Sequence, residues 1–212
     1  MSKLKHIATE LKHHIPFTAF GALTGVAIMS AMVWIEISSY SLNIIFHIFH
    51  SLHILLSAFV TTSMYKLHKG KSLASPLIGF VGSVGICSIS DVALPYAGGI
   101  LLGIETELHV CFIEHPPIII LSALIGIALS YLRAATKCPH AAHVLVSTWA
   151  SLFYLLAFGA ANWLPLLPFI FVVLFIAVWL PCCVSDIVFP LSFVKELHLE
   201  QCTQNSIYQA AK

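Results

Sequence analysis

The chain has 212 residues, 59% of them hydrophobic and 9% charged, and a formal net charge of +1 at pH 7. Soluble globular domains carry about a quarter charged residues, so this composition, with a mean hydropathy of +0.95, excludes one and points to an integral membrane protein. The near-zero net charge and the lack of an aromatic-interleaved basic patch also speak against nucleic acid as a partner.

The first fourteen residues are polar and basic, without the apolar core of a cleavable signal peptide. Apolar stretches then cover roughly 15–37, 42–65, 73–104, 117–132, 143–162 and 165–194, each near or above the ~20 residues that cross about 30 Å of hydrocarbon. The short alternating strands of a membrane barrel are absent from the pattern. The expected fold is an all-α polytopic membrane protein, with six transmembrane helices in a single membrane domain over 1–212. Lys3, Lys5 and Lys12 precede the first stretch, and Lys66, Lys69 and Lys71 join the second and third. Arg133 and Lys137 join the fourth and fifth, and Lys195 and Lys212 follow the sixth. All ten cations thus fall on one side, whereas Glu36, Glu105, Glu107 and Glu114 fall on the other. Because Lys and Arg are retained in the cytoplasm during insertion, both termini are expected to be cytosolic tails, in a cell inner or plasma membrane.

The chain contains the same signals twice. In the first stretch His14-Ile15-Pro16 precedes Gly21-x-x-x-Gly25; in the fourth, His115-Pro116-Pro117 precedes Ser122-x-x-x-Gly126. In the second, His50-x-x-His53 recurs 90 positions later in the fifth as His140-x-x-His143. In the third, Cys87-Ser88-Ile89-Ser90-Asp91 with Pro95 recurs 95 positions later in the sixth as Cys182-Cys183-Val184-Ser185-Asp186 with Pro190. Three ordered matches read as an internal duplication, with repeat 1 over about 12–104 and repeat 2 over about 113–194. Three spans per copy make the repeats inverted, the arrangement in which secondary transporters place sites between halves. Pro95 and Pro190, each four residues after an Asp, predict that the third and sixth helices are kinked or broken there. The glycine pairs, with Gly79, Gly82 and Gly85 of the third stretch, are also what close helix packing alone requires.

Ionisable groups inside a bilayer are costly and mark function by default. Helical spacing puts each His pair on one face. Depth along the spans then collects His115, His50, His53 and Asp91 in an outer cluster and His14, His140, His143 and Asp186 in an inner one. If the kinks bring the aspartates to the midplane, the two clusters merge into one dinuclear centre. Imidazole with carboxylate suits a divalent transition metal, zinc or iron foremost and manganese or nickel besides. Cys87 and Cys182, one turn before each Asp, add softer donors or are simply small packing residues. Imidazoles at span ends, such as His13, His14, His68 and His198, are commonly interfacial. Asp91 and Asp186 could instead cap broken helices with Ser90 and Ser185. His47 extends the His50/His53 stripe, but its counterpart is Lys137. Glu105, Glu107, His109 and Glu114 read either as an ion-gathering mouth or as a solvated acidic loop. The six cysteines show no extracellular disulfide framework.

These features suggest a membrane transporter of divalent transition-metal ions, with imidazole protonation able to couple metal to proton movement. The alternative is an intramembrane metalloenzyme, a hydrolase or oxidoreductase on a lipid-like substrate, although the H-E-x-x-H helix of zinc proteases is absent. Haem held between facing helices is a weaker reading, since it needs no Asp. The expected partners are the metal ion and the lipid bilayer; the sequence is compatible with a homo-oligomer.

Overall fold

The computed structural model describes residues 3–67, 73–132 and 137–194. Among these residues six long helices run α1 (Lys3–Ile35), α2 (Ser39–Leu67), α3 (Ser75–Leu101), α4 (Pro116–Leu132), α5 (Lys137–Phe158) and α6 (Leu164–Ser192). The His14–Ile35 part of α1, with α2, α3 and α6, is long and apolar enough to cross a membrane; α4 and the 142–158 part of α5 are apolar but shorter. At about 1.5 Å per residue the 17 residues of α4 extend about 26 Å. Large apolar side chains point outward from Phe17, Phe20 and Leu23 on α1, Leu77 on α3, Leu121 and Leu124 on α4, and Phe169 and Val172 on α6. A soluble protein rarely exposes so continuous an apolar surface; hydrocarbon solvates it.

Local chemistry sets the helix ends. Glu36 takes a positive φ of 55° between α1 and α2, and the Ser38 hydroxyl accepts the Ser41 N–H at 3.3 Å, capping α2. At the end of α3, Gly103 adopts φ 70°, the left-handed conformation that glycine takes without strain. The Ile104 N–H reaches the Gly99 carbonyl at 2.9 Å and the Gly103 N–H that of Ile100 at 3.0 Å, the paired bonds of a Schellman stop. A one-turn helix, Cys111–Glu114, precedes α4. Glu105–Thr106 pairs antiparallel with Gly159–Ala160, tying the α3–α4 connection to the end of α5.

Of the kinked or broken helices expected at the prolines, the structure shows no break in α3 or α6. Each remains helical and widens into one π turn, Ile89–Ala93 in α3 and Val184–Val188 in α6. The reason is the proline that follows. The Leu94 N–H bonds the Ile89 carbonyl, and Pro95, lacking an N–H, leaves the Ser90 carbonyl without a backbone donor. The Phe189 N–H likewise bonds Val184, and Pro190 strands the Ser185 carbonyl. Hydroxyls from neighbouring helices fill both gaps: Ser151 donates to Ser90 O at 3.1 Å and Thr61 to Ser185 O at 3.2 Å.

Helices α2 and α5 form the centre of the bundle and pack on each other. The contact of α2 with α4 is matched by α5 with α1, that of α2 with α3 by α5 with α6, and that of α1 with α6 by α4 with α3. At Gly126 the backbones come close enough that a Cβ would run into the Leu55 carbonyl oxygen of α2. Phe46, Ile54, Ile119, Leu152, Tyr154, Ile170 and Leu174 belong to one buried apolar cluster. It encloses a polar interior containing His50, His53, Ser57, Asp91, His143, Ser147, Ser185 and Asp186, all 0–1% exposed.

Candidate metal centre

His53 is the middle residue of α2, and three or four residues of spacing put His50 beside it on the face toward the π turn of α3. Asp91 Oδ2 accepts from both imidazoles, His50 Nδ1 at 2.8 Å and His53 Nδ1 at 2.7 Å, while Ser147 donates to Oδ1 at 3.2 Å. On the other half, Asp186 Oδ2 accepts from His143 Nδ1 at 2.6 Å, and Thr61 reaches Oδ1 at 3.5 Å. A carboxylate only accepts, so each Nδ1 carries a proton, and in a neutral imidazole the lone pair is then on Nε2.

Those lone pairs converge. His53 Nε2 and His143 Nε2 face each other at 2.5 Å, their rings stacked with centroids 4.5 Å apart. Cys87 Sγ lies 3.5 Å and Cys182 Sγ 4.0 Å from His53 Nε2. Two imidazole lone pairs at that separation repel unless a cation, a proton or a metal, lies between them. Two carboxylates buried in low dielectric also require positive charge nearby. His53, Cys87 and His143 offer ligand atoms within 4.8 Å of one another, a nitrogen–sulfur set of the kind that suits a borderline ion; Cys182 stands beside His53 without belonging to that group.

The surrounding bonds occur in pairs. Ser90 Oγ meets Ser147 Oγ at 2.9 Å and donates to Ala177 O at 2.9 Å. Ser185 Oγ meets Ser57 Oγ at 3.0 Å and donates to Gly82 O at 3.2 Å. Each residue in the second set is displaced by 90 or 95 positions from its counterpart, the offsets of the His and Asp motifs.

Of the sequence candidates, the structure joins His50, His53, Asp91, His143 and Asp186 into one connected group, where two clusters at different depths were the first expectation. His14 is buried on α1 and its carbonyl accepts from Thr18; the His140 side chain lies outside the described residues. His115 does not sit with Asp91. It caps the one-turn helix and is exposed, because α4 begins at Pro116 and leaves His115 in the connection. There its ring lies 4.9 Å from that of His47, and His47 Nε2 is 3.0 Å from His109 Nε2. Burial lowers the pKa of His109 from its ordinary 6.5, against the opposing pull of Glu114. The Cys111 thiol, also buried, is pushed up to about 12 and stays protonated. Spacing alone undervalued His109 and the cysteines; the recurrence of Cys87 as Cys182 was the available sign for the latter.

No family model, curated protein or solved structure matches the chain.

Proposed function

We propose that the protein carries a divalent transition-metal ion, zinc or iron foremost, across the membrane in exchange for protons. The observation that carries this reading is the His53–His143 pair, two imidazoles with their Nε2 atoms converging at 2.5 Å and their far nitrogens held by Asp91 and Asp186. In it, His53, His143, Cys87 and Cys182 bind the ion, and the aspartates orient the imidazoles and raise their basicity, as carboxylates commonly do for metal-bound histidine. This differs from treating the aspartates as ligands. A divalent ion on neutral imidazoles balances the two carboxylates, and so do two protons; each thiol that ionises on binding the ion releases one further proton and adds one negative charge. One site therefore accepts either load, and metal binding releases protons.

Alternating access follows from the duplication. The six helices are read as six spans in two inverted three-helix repeats, supported by the paired motifs, the exchange-related helix contacts and the π turn in each of α3 and α6. Burial of the imidazoles at the middle of α2 fits an occluded state near the midplane. With the cations on the cytosolic side, the His47–His109–His115 end faces outward. An intramembrane metalloenzyme uses the same donors but holds its metal rather than exchanging it.

Zinc-loaded proteoliposomes test the proposal. Zinc flux with counter-movement of protons is expected for the wild type, with both lost in Asp91→Asn and Asp186→Asn. Flux unchanged in both variants overturns the carrier. Metal that survives prolonged chelation, without flux, favours the enzyme.

A further inference from the structure

The rim formed by the start of α2 and the α3–α4 connection repeats the chemistry of the buried centre with different residues. His47 Nδ1 donates to the Asn43 carbonyl at 2.8 Å, and His109 Nδ1 donates to Glu114 Oε1 at 2.8 Å. Both Nδ1 protons are thereby committed to oxygen acceptors, and both Nε2 lone pairs turn toward each other at 3.0 Å. His115 stands 4.9 Å from His47, ring to ring, and one nitrogen from each of the three imidazoles falls within a 4.8 Å group. The rings are held in place: His109 stacks on Phe158 at 4.4 Å and 13°, Phe46 meets His47 edge-on at 5.2 Å, and the His109 N–H donates to Tyr154 Oη at 3.3 Å. Unlike the buried centre, the rim is partly open, with His115 exposed and His47 and His109 half-buried.

We propose that His47, His109 and His115 form a second metal site, a three-imidazole set for a zinc-like divalent ion with its fourth position open to water. Three neutral imidazoles around an accessible coordination position are a set zinc favours, and Glu114 behind His109 is the carboxylate that orients such a ligand. The site differs from the buried one in having no thiol among its grouped donors. Its role deepens the carrier reading, on which this part rests. His47, His50 and His53 follow one another at one helical turn along α2, so the rim leads to the buried centre over about 9 Å. His50 lies between, stacked on Phe46. The rim is where an ion is captured and stripped of water before it descends. It also breaks the symmetry of the two halves, because the position matching His47 is Lys137. Capture therefore operates from this face alone.

Equilibrium dialysis of the detergent-purified full chain against zinc tests the assignment, with Co2+ as a spectroscopic probe. The wild type is expected to hold two ions per chain. His109→Ala/His115→Ala should hold one, whose cobalt form shows a thiolate charge-transfer band. His53→Ala/His143→Ala should also hold one, whose cobalt form shows no such band. The milder Glu114→Gln, which preserves volume, should weaken the rim ion by about 10–100-fold and spare the other. Two ions retained in His109→Ala/His115→Ala, or a single wild-type ion removed only by His53→Ala/His143→Ala, overturns the rim site and leaves the carrier standing. A single wild-type ion removed only by His109→Ala/His115→Ala keeps the rim site and overturns the carrier's buried centre.

Discussion

An imidazole whose Nδ1 proton is tied to a buried carboxylate has one free lone pair and a fixed direction for it. Replacing Asp91 or Asp186 by Asn keeps the shape but offers an amide that can also donate, so the imidazole loses its enforced tautomer. Metal affinity at the buried centre should fall about 10–100-fold in either variant, as measured by competition with a chelating dye. Cys87→Ser/Cys182→Ser tests the donors directly: the bound cobalt should lose its thiolate band and bind more weakly, while unchanged spectra would return both cysteines to packing. The repeated histidines and aspartates were legible in the sequence because ionisable groups seldom recur by accident in apolar stretches. Which nitrogen faces which was not. Spacing tells which residues share a helix face, whereas the convergence of His53 and His143 depends on how α2 and α5 meet.

At the scale of the helix, the π turns decide where the aspartates point. Ser90 O and Ser185 O lose their backbone donors and are served by Ser151 and Thr61. Ser151→Ala should orphan a buried carbonyl and reduce stability by about 1–3 kcal/mol, seen as a lower unfolding temperature in detergent. Pro95→Ala supplies an N–H that can bond the Asp91 carbonyl in regular α geometry, with the Leu94 N–H returning from Ile89 to Ser90. The helix can then tighten and turn Asp91 away from His53. Flux is expected to fall without loss of stability, and a variant with normal flux would show that the π turn is dispensable. The prolines marked these places in the sequence, but a break and a widened turn both answer the same missing hydrogen bond. The structure takes the widened turn, with neighbouring hydroxyls at the stranded carbonyls.

Across the whole molecule, the all-α membrane character was legible from composition, because a chain this poor in charge has no aqueous surface to offer. The pairing of helices was legible only as far as the repeat, which says that contacts should occur in related sets without saying which. Gly126 shows what was hidden: its match with Gly25 was visible, but its approach to the Leu55 carbonyl belongs to the docked α2–α4 pair. Gly126→Leu should separate these helices and lower both thermal stability and flux; a variant as stable as wild type would contradict this packing. Under the inverted-repeat reading the two ends of α2 face opposite compartments. A single cysteine introduced at Asn43 in a background without reactive cysteines should react with an impermeant thiol reagent from outside intact cells, and one at Lys66 only after the membrane is opened.

The most direct measurement compares zinc flux in proteoliposomes for His53→Ala, His143→Ala and the double variant, each checked for normal folding. If the two halves share one ion between His53 and His143, each single variant should lose flux as completely as the double. Substantial residual flux in both single variants, abolished only when they are combined, would mean two independent sites and contradict the shared centre.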